Sequence, residues 1–545
     1  MSLSISASQV ATLIANPSSI SGYSSSGPII ITGAITYTQA NSLNAVDATY
    51  IQATISETSV TNLSGIAVNN STRSSLNKFS TVVSDTAATA AELNAVQALT
   101  SVAVDASNVA AIEASDAAAI TTLYTSSVSG LGNETISVND STVVAATLNT
   151  IDGYSTGAVT TTATTISGAA SDINTALAST VTHAADIAVT VTDTTVAASD
   201  INAIEALTTG RTTVTSATIM TGSFADVDEA FGHNDDATPT RVTGLSNVNV
   251  TLTGTPTTAN VVSTIAQTGT GKVTATMPTA DVNIGDYSAI SGTGHVLTIP
   301  TLVDDSMAAA ALKTLDAATT QTITLDPSTA TLASPAITSS TYADVLDVFS
   351  STGISGLSAG AVTVSGTISV AEANALDALT SGAITATINT TAISTLATLT
   401  ANTGSTANAY TMTVGGTELL AADLNTLAGL TSVANGITAN NATKVTGTAD
   451  AVKDVYVTNI AKFTGITNEA ITLTDTALNA DTLAAIDTPA TGLITASSTT
   501  SISGTLTNVT NAFTKSAAGT AVAGIPLTTP VTITDTTVAA ATILT

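Results

Sequence analysis

One short text recurs along this chain and constrains its fold more than any other feature. Val189 to Gly210 reads VTVTDTTVAASDINAIEALTTG, Ile136 to Gly157 reads ISVNDSTVVAATLNTIDGYSTG, and Ile471 to Gly492 reads ITLTDTALNADTLAAIDTPATG. Weaker copies lie around Ile35 to Asp47, Val82 to Leu99, Val362 to Gly382 and Met412 to Leu430, and a further copy begins at Val531. The apolar anchor Leu148 returns as Ile201, and Leu483 returns as Ile543, so the period is about 50 to 60 residues. Val214 to Phe231 repeats the pattern inside that period. Each repeat therefore holds two similar halves of about 22 to 28 residues, a length found in leucine-rich and related solenoids.

Within a half, Val189, Thr190, Val191 and Thr192 alternate with period two, which predicts a strand with one apolar and one hydroxyl face. Beyond Asp193, the residues Ala198, Ile201, Ile204 and Leu207 recur every three positions, which predicts a short one-sided helix. Thr194, Thr195 or Ser199 is the expected cap of its first turn, and Gly210 stands where a left-handed C-cap belongs. The expected unit is strand, helix, strand, helix. Neither element buries its apolar face alone, so the fold class expected is an elongated repeat solenoid, with a parallel sheet on one side and short helices on the other. Its outward Thr residues should form ladders. Asn44, Asn94, Asn149, Asn202 and Asn425 follow the anchor residue. They are expected either to satisfy backbone groups at a turn or to face solvent.

Composition agrees with a folded array of thin cores. Hydrophobic residues make up 44% and charged residues only 9%, which is not the balance of a disordered chain. Aromatic residues make up 3% and Trp is absent, so burial rests on Ala, Val, Ile and Leu. The net charge of −29 disfavours nucleic acid and anionic membrane as partners. With no Cys there are no disulfides, thiolate metal sites or cysteine nucleophiles. Met1 to Gly27 lacks the basic and apolar regions of a cleaved signal peptide, and no apolar stretch is long enough to span a membrane. Export, if it occurs, uses another route.

The expected organisation is an N-terminal cap or docking arm over residues 1–28, repeat solenoid over 29–231, diverged repeats or a β-rich insert over 232–350, and solenoid again over 351–545. The strand beginning at Val531 suggests an open edge: either the chain is a piece of something longer, or the next molecule completes the edge head to tail, giving a homo-oligomer, filament or lattice.

Candidate chemistry is sparse. Gly356 to Gly360 matches the nucleophile elbow G-x-S-x-G, but a strand-like AVTVSG follows where a helix is required. Gly269, Gly271 and Lys272 resemble the end of a phosphate loop without its Ser or Thr, and read as a turn. His183, His233 and His295 lie far apart with no ligand spacing. Asp226, Asp228, Glu229, Asp235 and Asp236 form the densest acidic cluster and are the candidate calcium ligands, with Asp304 and Asp305 a lesser version. No other cofactor is expected. Asp85, Asp140, Asp193, Asp475 and Asp535 recur at strand ends, where a turn or capping role is expected. Asn69, Asn70 and Asn133 head glycosylation-type sequons.

The text DTTVAASDINAIEALTTG, with TTISGAASDINTAL ending at Leu177, resembles the Thr/Ala-rich repeats of very large cell-surface proteins of marine cyanobacteria, one of them associated with swimming motility. The resemblance implies an exported, cell-surface, non-enzymatic role. The expected function is an extracellular structural protein that self-assembles into a surface layer, filament or matrix. The alternatives are an adhesin or viral fibre that binds a receptor or cell-surface glycan, and an ice-binding Thr array.

Overall fold

The computed structural model describes residues 1–67, 75–234, 241–402, 404 and 406–537. Short strands and short helices alternate throughout, and the strands pair in parallel in several separate sheets without a closed barrel. The chain divides into two compact units, one of Met1–Pro256 with Ser263–Ala275 and the other of Thr257–Val262 with Thr276–Thr545.

The repeat is visible in the first unit. One module carries strands Thr135–Val138 and Thr142–Val144 ahead of the helix Ala145–Asp152. The next carries Val159–Thr161 and Thr165–Gly168 ahead of the helix Ala170–Ala178. Their strands pair in register, Ile136 on Val159 and Val143 on Ile166. In the third module Ala188–Val191 pairs with Thr165–Gly168, but no helix follows it directly. A further strand, Thr195–Ala197, comes first, and only then the helix Ala198–Leu207. Thr195–Ala197 opens a separate sheet, as Thr142–Val144 does in the first module, so the helix has stepped away from the sheet that led to its predecessor. In the fourth module Ile219–Gly222 pairs on Thr195–Ala197, and the helix Phe224–Asn234 follows it.

The second unit makes the same step. Lys444–Gly447 leads into the helix Ala449–Lys453, and Ala470–Leu473 pairs upon it. The strand Ala477–Asn479 then intervenes before the helix Ala480–Asp487, and Ser501–Gly504 pairs on Ala477–Asn479 ahead of the helix Leu506–Ala518. The long period is thus two modules of unequal construction: in one the strand ahead of the helix opens a new sheet, and in the other it pairs on the strand that led the previous helix. This corrects the expected strand, helix, strand, helix unit with one continuous sheet.

The core is aliphatic as composition requires. Ala198, Ile201 and Ile204 are fully buried, as are Val191 and Met220, each burial of a large aliphatic contributing about 1.5 to 3 kcal/mol. Leu207, expected on the same stripe, is 37% exposed, and Glu205 is buried instead. Its carboxylate pairs with Arg241 Nε at 3.0 Å. Thr ladders do form: Thr221, Thr251 and Thr274 lie side by side in one sheet, and Thr446, Thr472 and Thr495 in another.

Residues 1–28 are built on the same plan as a module. Leu3–Ser6 pairs with Ile29 to Thr32, and the helix Val10–Ala15 buries Val10 and Leu13. The region expected to be diverged also keeps the strand-then-helix order, as in Ala336–Ser340 followed by Tyr342–Ser350.

Candidate functional site: the joints between modules

Recurrent polar side chains of this chain meet at the places where one module rests on the next. The strand-end aspartates provide the first kind of contact. Oδ2 of Asp85, Asp140 and Asp193 accepts the backbone N–H of Val60, Ala117 and Ala170, each at 2.7 Å. Asp475 and Asp535 do the same for Ala449 and Leu506 at 2.6 Å. Every one of these N–H groups opens a helix of the preceding module. A helix start leaves unpaired donors and a positive dipole end, and a carboxylate placed there answers both. The expectation of a capping role holds, with the cap reaching backwards to the previous helix. The helix Ala198–Leu207 itself starts at Ala197 with no side-chain cap, so neither Thr194, Thr195 nor Ser199 fills that place.

The second contact uses glycine. Gly168, Gly222, Gly447 and Gly504 each close a strand just before a helix and lie over the first Ala of the preceding helix. A Cβ at Gly447 would come 2.8 Å from Ala421 Cβ, and one at Gly222 would come 3.1 Å from Ala198 Cβ. Gly and Ala there are a fitted pair. Gly210 has a related purpose: a Cβ would run into the Ile187 carbonyl oxygen of the module below. The left-handed C-cap expected at Gly210 is not formed, since its φ lies outside the positive region.

The third contact is the asparagine. Nδ2 of Asn94, Asn149, Asn174, Asn202 and Asn425 donates to the carbonyl oxygen of Ala119, Asp172, Asp200, Asp226 and Ala451, at 2.8, 2.9, 3.2, 3.0 and 2.8 Å. The donor is the fifth residue of one helix and the acceptor the third residue of the next. Asn44 likewise donates to Ala67 O at 3.0 Å. The asparagines do satisfy backbone groups from a fixed place in each module, as expected, but on the next helix rather than at a turn, and so form a clamp between adjacent helices.

Two recurring contacts carry no signal that sequence reading had picked out. Thr100, Thr208, Thr380 and Thr431 are buried after their helices, and each hydroxyl donates to a carbonyl in or just ahead of a strand of the preceding module while accepting an N–H two residues on. Glu134 and Glu469 are buried just ahead of a strand. Glu134 accepts from the backbone N–H of Gly132 and Asn133 and from the Tyr124 hydroxyl, and Glu469 from the Tyr456 hydroxyl at 3.1 Å. Burial raises the Tyr456 hydroxyl well above the ordinary phenol range. The matching phrases NETISV and NEAITL are the clue.

Of the candidate calcium residues, Asp226, Asp228 and Glu229 fall on the helix Phe224–Asn234. There Asp226 accepts from Ser223 Oγ at 2.6 Å, Asp228 from Gln267 Nε2 at 2.7 Å and Glu229 from Asn202 Nδ2 at 3.1 Å. Asp235 and Asp236 lie outside the described residues, as do Asn69 and Asn70. No group of three or more metal-binding side chains forms among the described residues. Asp304 accepts from the Ile284 N–H at 2.8 Å, while the Asp305 carboxyl, accepting from Thr329, is held below its usual range. His183 contacts Ala184 O and His295 is buried in another unit of the chain. Behind the elbow-like Ser358 runs the strand Val362–Ile368, as the sequence predicts, and Gly269 makes a turn with φ +63°.

No described helix is long and apolar enough to cross a membrane. Comparison of the chain with known protein families, with curated proteins and with solved structures finds no match to any of them.

Proposed function

We propose that this chain is a non-enzymatic, exported structural protein: an elongated solenoid that associates with copies of itself into a surface layer, filament or matrix. One observation carries this reading. The polar residues that recur with the repeat, Asp, Asn and Thr, bond one module to the next. Their chemistry goes into stacking, and what the stacking produces is a surface of defined spacing. The strongly acidic composition fits a role for calcium between copies, and the Thr/Ala-rich resemblance fits a cell surface.

Cryo-electron microscopy of the full chain, with and without millimolar calcium, tests the proposal. Rods that associate into larger assemblies are the expected outcome; compact particles that stay single at every concentration would remove it. A second reading, ice binding, draws on the stacked Thr residues such as Thr221, Thr251 and Thr274. Thermal hysteresis by the purified protein would favour it over assembly.

A further inference from the structure

The fifth helix position, where Asn clamps neighbouring helices, is filled differently in a number of helices, among them Ser64, Asp228 and Leu346, and in three cases a groove lies beside it. The helix Ala117–Thr125 has Thr121 there, the helix Ala480–Asp487 has Ala484, and the helix Ala309–Ala318 has Lys313. A groove of about 580 Å³ follows Ala117–Thr125, lined by Ala118, Thr121, Val144, Thr147 and Thr150. One of about 240 Å³ follows Ala480–Asp487, lined by Ala484, Asp487, Asn508 and Lys515. One of about 390 Å³ lies beside Lys313.

The last two joints have substitute ties. Lys515 pairs with Asp487, and Lys313 Nζ reaches Asp344 at 3.0 Å and Asp347 at 2.7 Å on the following helix. At the first joint Thr121 Oγ1 turns back to Ala117 O of its own helix at 2.8 Å. The Thr147 residue that holds the acceptor position in the next helix lines the groove instead. What pins this joint lies at its two ends: Asp140 on the Ala117 N–H, and the stacked rings of Tyr124 and Tyr154, with centroids 4.7 Å apart. Between those pins the two helices have small side chains and a gap.

We propose that the seam between the helices Ala117–Thr125 and Ala145–Asp152 is a built-in hinge of the helix layer, the place that opens before the neighbouring joints clamped by Asn94, Asn149, Asn174 and Asn202. The clamp is missing there, no substitute tie among the described residues bridges the two helix middles, and a groove lies in its place. The inference is independent of whether the array forms filaments or binds a receptor, because it concerns the order of opening within one chain.

Hydrogen exchange read by mass spectrometry on the full chain tests it. The amides of Ala117–Thr125 and Ala145–Asp152 should exchange faster than those of Ala170–Ala178, which both receives and gives a clamp. Thr121→Asn places an amide opposite the Thr147 carbonyl and should slow exchange in both helices about three- to tenfold, the range expected of one added hydrogen bond. Asn149→Thr should speed exchange at the next joint by a similar factor, making it behave like the seam. Equal exchange in all three wild-type helices overturns the proposal. So does a Thr121→Asn protein with unchanged circular dichroism and unchanged exchange. Should Thr121→Asn fail to fold, the wild-type comparison and Asn149→Thr decide alone.

Discussion

The joint where the Ala198 helix meets the module after it and the joint where the Ala170 helix does so are built on opposite principles. At the first, Gly222 lies over Ala198 and the fit is steric; at the second, Asp193 takes the Ala170 N–H and the fit is electrostatic. The second unit repeats the contrast with Gly447 over Ala421 and Asp475 on Ala449. Two joints that alternate, rather than one joint repeated, explain why the sequence repeats at twice the module length. The strand that opens a new sheet belongs to the module that brings the aspartate, so the electrostatic joint marks the lateral step of the helix.

The steric joint should be the less forgiving. Gly447→Ala is expected to cost about 2 kcal/mol, because Ala421 is held between the strand Glu418–Leu420 and the helix Ala421–Gly429, which keeps the contact from relaxing. Urea unfolding measures this, and adding Ala421→Gly should restore part of the loss. A Gly447→Ala protein as stable as the wild type would show that the joint has room and erase the contrast.

Next in size is the electrostatic joint. Asp193→Ala should cost about 1 to 2 kcal/mol through the lost cap and dipole contact, and Asp193→Asn less, because an oxygen acceptor remains. Thermal unfolding followed by far-ultraviolet circular dichroism separates the two variants. Equal losses would mean that charge contributes nothing at this joint.

The smallest effect tests a joint that mixes the two principles. Gly504 lies over Ala480, and Asp481 beside it accepts from Asn508 Nδ2 at 2.7 Å and Thr505 Oγ1 at 2.8 Å. Asn508 first, and then Thr505, hold the Asp481 carboxyl below its ordinary value. A depressed folded value means the stabilisation is complete above the unfolded carboxyl value, about pH 4, and is lost as pH falls through the folded one. Asp481→Asn should therefore flatten acid unfolding in that window, whereas Gly447→Ala should leave its shape alone. Identical acid titrations of wild type and Asp481→Asn would assign this joint to packing only.

Much of this architecture is legible in the text of the chain, because strands and helices announce themselves by local period. Val189 to Thr192 alternates and forms a strand, and Ala198, Ile201 and Ile204 face inward as their spacing requires. What local period cannot convey is the partner. Asp193 reads as a cap from composition, but the helix it caps begins 23 residues earlier, and only strand register brings the two together. Gly210 follows a helix, as a left-handed cap does, yet its small size serves the Ile187 carbonyl of another module. Thr195 to Ala197 looks like the run-up to a helix and is a strand, because pairing with Ile219 to Thr221 holds it extended. Glu205 sits among helix residues that read as solvent-facing, and its partner Arg241 comes 36 residues later.

The backward reach of the aspartates gives the array a direction in time. A helix whose opening N–H is answered only by the following module stays unfinished until that module has folded, so synthesis from the amino end leaves each helix of an aspartate joint waiting for the next module. At those joints maturation should trail the ribosome by one module, and a pause in translation should expose at most one dipole end, never many.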